Sequence, residues 1–115
     1  METFENGARL EICRNSNCKE YSIFEGYAFD FSDMMPIANL DEAVKAKASI
    51  PDSFFKIKEI SQSSVVLEYF SHKNKKGEEK VLKLSGINSC LMGEYTITLK
   101  GIRYNASSFD DWKTS

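Results

Sequence analysis

The chain has one histidine, two prolines, one tryptophan and no long apolar run among its 115 residues. Each shortage closes a class of function. A helix that crosses a bilayer needs about 20 consecutive apolar residues, so no membrane partner is expected. A serine or cysteine nucleophile needs a base beside it, most often histidine. Here the one candidate base, His72, stands beside Lys73, Lys75 and Lys76, where a solvated residue is expected. No G-x-S-x-G elbow occurs. The glycines (Gly7, Gly26, Gly77, Gly86, Gly93 and Gly101) are scattered, so neither a G-x-G-x-x-G nor a Walker phosphate cradle exists. No cofactor is implied. A basic excess is also missing. The net charge is −2, and neutralising phosphates calls for a domain-wide positive balance. A nucleic-acid partner is therefore not expected.

The opening Met1-Glu2-Thr3-Phe4-Glu5-Asn6 is acidic and lacks the basic-then-apolar order of a signal peptide. A cytoplasmic location follows as the expectation. The three cysteines, Cys13, Cys18 and Cys90, are odd in number, which argues against a closed disulfide framework. The simplest reading is three reduced thiols; the alternative is one disulfide and one free thiol. Cys13, Cys18, Cys90 and His72 could furnish a Cys3His zinc set by count, but their spacing does not support one.

What the chain does have is alternation. The length suits a single domain, read here as one β-rich unit over 1–115. Apolar residues make up 42% and charged residues 28%, which excludes a disordered chain. Ala8, Leu10 and Ile12 alternate with Arg9 and Glu11. Tyr21, Ile23, Tyr27, Phe29 and Phe31 share one face of a long strand over 19–31, bent near Gly26. With 8–13 that strand makes a hairpin. Further strands are expected over 53–60, 64–72, 80–85 and 94–104, with a bulge at Gly101. Lys73 to Glu79 reads as the turn of a hairpin, and Phe109 and Trp112 as tail residues that dock. One short helix is expected at about 39–48. Asn39 caps it, Asp41 and Glu42 suit its positive end, and Ile50-Pro51 ends it. The fold class is mainly β: an antiparallel sandwich or partly open barrel of six to seven strands.

Charge is unevenly spread. Residues 1–55 carry ten acids and five bases, and residues 56–115 carry seven acids and ten bases. Between Glu20 and Glu42 there are six acids and no base. Within that stretch Phe24, Glu25, Asp30, Asp33, Met34 and Met35 combine apolar anchors with carboxylates, the makings of a partner surface. An acidic patch speeds encounter with a basic protein. The bland reading is that the odd-numbered aromatics are core and the acids a wet face. Phe24 discriminates, because it lies on the strand face opposite Tyr21 and Ile23.

The function expected from these features is a small, soluble, non-catalytic protein-binding module. An inhibitor or immunity-type protein that occludes a basic partner would fit. The alternatives are a small-ligand-binding β-barrel and a structural, self-assembling subunit in which an edge strand pairs with a second copy.

Overall fold

A computed structural model describes residues 4–47 and 51–114. The chain begins with β1 (Gly7–Arg14), β2 (Asn17–Phe24), β3 (Ala28–Asp30) and β4 (Met35–Ile37). Helix α1 (Leu40–Lys47) follows, then β5 (Phe54–Ile60), β6 (Ser64–Ser71) and β7 (Asn74–Lys83). The chain closes with β8 (Ser89–Met92), β9 (Tyr95–Arg103) and β10 (Lys113–Thr114). The strands make two antiparallel sheets of five. The first runs β10-β9-β1-β2, with β8 also paired to β9; the second runs β4-β3-β5-β6-β7. The class is the one that the period-two pattern requires, an all-antiparallel mainly-β fold with one short helix.

Alternation explains which faces are buried. Ala8, Leu10 and Ile12 of β1, Ile97 and Leu99 of β9, and Ile23 of β2 are buried from the first sheet. Phe29, Phe55, Ile57, Val65, Leu67 and Leu82 are buried from the second, and both sets join one core. Two bulges adjust the phase. The β1–β9 register steps from Arg9↔Gly101 to Leu10↔Leu99, so Lys100 is the extra residue, next to the glycine expected to bulge. One extra residue moves the following side chains to the other face, which brings Ile102 into the core behind Leu99. The β5–β6 register skips Lys58 in the same way and turns Ile60 inward.

Among the described residues, ten strands replace the expected six or seven. The strand read over 19–31 is two strands in different sheets. At Glu25 and Gly26 the chain leaves the first sheet: Gly26 adopts a φ of 85°, and its N–H donates to the Ile57 carbonyl at 2.9 Å. The bend expected there is thus a crossing between layers. β4, β8 and β10 are only two to four residues long and fall outside the strands expected from alternation. Lys73 to Glu79 is mostly strand: Ser71 pairs with Asn74, so the turn is the two residues His72 and Lys73. Gly77 lies inside β7 because the Phe70 ring packs over it; a Cβ there would sit 2.8 Å from that ring.

Asn39 caps α1 as expected. Its Oδ1 accepts the Glu42 N–H at 3.1 Å, and its carbonyl accepts the Ala43 N–H at 3.1 Å. The expected helix end at Ala48 and Ile50 lies outside the described residues. Among the described residues no helix is long and apolar enough to cross a membrane.

The cysteines correct the sequence reading. Cys13 and Cys18 face each other across the β1–β2 hairpin and form a disulfide, with Cα atoms 4.0 Å apart. Cys90 is the free thiol. Parity of the cysteine count could not reveal this, because the pairing follows from hairpin register.

Candidate functional site

Two pairs of adjacent aromatics, Phe54-Phe55 and Tyr69-Phe70, create the site. Neighbours in a strand point to opposite faces. With Phe55 in the core, Phe54 must lie on the outer face of the second sheet and needs cover of its own. Phe70 supplies part of it. It is the register partner of Phe54, and the two rings stack with centroids 4.8 Å apart and planes 13° off parallel. Phe54 is left only 7% exposed. Lys56, two residues along the same face, holds its Nζ 5.6 Å from the Phe70 ring centre.

Helix α1 stands over this pair. Leu40 and Val44, at the four-residue spacing of one helix face, line the same cleft as Phe54, Phe70 and Pro51. The cleft has a volume of about 800 Å³, inside the roughly 300–1,000 Å³ range of small-molecule sites. Its charged lining is Lys45 of α1, Lys56 of β5, Lys75 of β7, Asp41, Asp52 and His72. Asp52 is engaged: its Oδ1 lies 3.2 Å from His72 Nε2, tying the β6–β7 turn to the segment that enters β5. Both side chains are well exposed. Among the described residues none of the three ammonium groups is in an ion pair.

Apolar side chains and ammonium groups together line the cleft. Ser71 and His72 are adjacent in it, but Ser71 Oγ accepts the Asn74 N–H at 3.1 Å and makes no hydrogen bond with His72 among the described residues. A serine without a contacting base is not activated. The four zinc-ligand candidates do not converge. Cys13 and Cys18 are oxidised, Cys90 is half-buried, and His72 bonds Asp52. Glu11 comes within 4.8 Å of Cys13 and Cys18, but disulfide sulfurs are not the thiolates a metal takes.

The six residues expected to form a partner surface fall at the two ends of β3. Phe24 and Glu25 are at the corner between β2 and β3. Phe24 does leave the core face, as expected, and its cover comes from the chain itself. The Arg103 guanidinium sits 5.3 Å from its ring centre, Tyr27 packs on it edge-on at 5.5 Å, and Gly7 backs onto the ring. Glu25 accepts the Ile60 N–H at 2.7 Å, which joins the corner to the end of β5. At the other end Asp30 is buried and accepts the Ser32 N–H at 2.8 Å. Met34 packs against the core with a φ of 51°. Asp33 and Met35 are exposed, Met35 by 49%.

The sequence did carry a signal for the cleft: two consecutive aromatics in a strand force one outward. Alternation alone does not reveal it, because it marks only which ring of each pair faces the core. The pairing of residues 54 and 70, which turns two outward rings into one floor, is a tertiary fact. Compared with protein-family models, curated proteins and solved structures, the chain matches none.

Proposed function

We propose that this chain is a non-catalytic binding module that holds an apolar-bodied ligand in the cleft between α1 and the outer face of the second sheet. One observation carries the reading: about 800 Å³ of space over a stacked Phe54–Phe70 floor, walled by Leu40, Val44 and Pro51. The space between the sheets is occupied by Phe29, Phe55, Leu67, Leu99 and their neighbours, so a ligand inside a barrel is not the version supported. The cleft lies outside the core cluster. Phe54→Ala and Phe70→Ala should each abolish uptake of a hydrophobic fluorescent probe. Unchanged uptake in both variants would refute the assignment.

A protein partner is the second reading. Met35 stands exposed near Asp33 on the short β3–β4 hairpin at a sheet edge, and an apolar tip beside an acid suits a basic surface. An inhibitor or immunity-type role belongs to this reading, as does pairing with a second copy along an edge. Co-purification with a basic protein that weakens steeply with salt would favour it. The Cys13–Cys18 bridge bears on location. Disulfides persist in oxidising compartments and are rare in the cytosol, so a cytoplasmic location goes with the dithiol form of the hairpin. Thiol counting on protein extracted under acid quench tests this.

A further inference from the structure

We infer that the ligand of the cleft is an amphipathic monoanion, an aliphatic or aromatic body carrying one carboxylate. The inference rests on the binding role proposed above and names its chemistry. The floor and inner walls are apolar: Phe54, Phe70, Leu40, Val44 and Pro51. Around them stand three ammonium groups on three different elements, Lys45 on α1, Lys56 on β5 and Lys75 on β7.

The opposing carboxylates are fewer, and each has other business. Asp52 faces His72 at 3.2 Å. Asp41 lies in the first turn of α1, where the helix dipole favours a negative charge. Among the described residues, the lysines and aspartates of the lining carry three positive and two negative charges. One carboxylate brings that balance to neutrality, whereas a phosphate dianion overshoots it. A cationic ligand would meet three unpaired ammoniums over an apolar floor, an arrangement that costs affinity with each approach. The whole chain carries −2, so the local positive balance of this cleft runs against the molecule's own charge. Lysine offers point charges and not the two-pronged fork of arginine, which suits a head group held loosely at the rim while the body enters.

The test uses three probes with the same ten-carbon chain: decanoate, decanol and decyltrimethylammonium, each below its micelle-forming concentration. Backbone amide shifts of the ¹⁵N-labelled protein report where and how tightly each binds. Decanoate should shift resonances of α1, β5 and β6 saturably and bind tightest, with the cation weakest. Lys56→Gln and Lys75→Gln should each weaken decanoate roughly threefold, the scale of one exposed ion pair, and leave decanol unchanged. The preference for decanoate should shrink as salt rises. The amide spectra themselves verify that both variants are folded. Equal binding of all three probes at the cleft overturns the monoanion inference while the apolar cleft stands. Failure of every probe to shift cleft resonances overturns the binding role itself. Decanoate shifts confined to another surface overturn both.

Discussion

Arg103 shows how much one side chain can organise. It is 3% exposed, and its guanidinium lies 5.0–5.4 Å from the ring centres of Phe4, Phe24, Phe109 and Trp112. Its Nε donates to the Glu5 carbonyl at 3.1 Å and its Nη1 to the Phe109 carbonyl at 3.0 Å. Both termini of the described chain are thereby held to the end of β9. Arg103→Ala removes charge-assisted hydrogen bonds and the ring contacts together, and should lower stability by about 2–3 kcal/mol, read by urea denaturation. Arg103→Lys should not restore it, since an ammonium cannot make the same planar contacts; full recovery with lysine would contradict this role. Cys90 is the second informative residue. Burial pushes its thiol up, Lys80 draws it down and Glu78 raises it again. A raised folded value means that the folded chain keeps the proton longer. The contribution to stability is whole below the unfolded thiol range, about 8.5, and is lost as pH rises through the folded value. Iodoacetamide should modify Cys90 along a pH profile displaced above that of the same thiol in urea. Coincident profiles would contradict it. At this scale the sequence was only partly legible. Asn39 was readable as a cap because its partners are three and four residues away. Arg103 was not, because its partner Glu5 lies 98 residues away.

Elements were legible where apolar alternation declares a face; β7 (Asn74–Lys83) was not, because Asn74 to Lys80 hold no apolar side chain. β1 and β9 carry enough alternating positions to declare a face, and both fall within a residue of the expected bounds. β4, β8 and β10 are chosen by long-range pairing, which two to four residues cannot announce. The period-two signal runs unbroken through Gly26, so it cannot show that the chain changes sheets there. The β1–β2 hairpin makes the element-scale prediction. Its disulfide closes a loop with a sequence separation of five, and chain-entropy reasoning gives about 2 kcal/mol for so short a loop. The Cys13→Ser/Cys18→Ser double variant should therefore remain folded and lose about that much stability. A variant that fails to fold would show that the bridge, and not the sheet, sustains this hairpin.

The whole molecule is two sheets around one core, with an accessory cleft outside it. The difference between inner and outer aromatics is a quantitative prediction at this scale. Phe55 is fully buried, stacked on Phe29 with centroids 5.5 Å apart. Phe55→Ala should cost about 3–5 kcal/mol, the usual range for emptying an aromatic site in a core. Phe54 borders open space, so Phe54→Ala should cost clearly less while affecting ligand uptake more. Chemical denaturation beside probe binding separates the two effects, and equal stability losses would place Phe54 in the core. The claim that matters most is that the Phe54–Phe70 floor receives a ligand. Its most direct test is an isotope-filtered NOE experiment on the protein with decanoate bound. Cross-peaks are expected from the decanoate methylenes to the ring protons of Phe54 and Phe70. Cross-peaks from bound decanoate to other side chains, with none to these two rings, would contradict it.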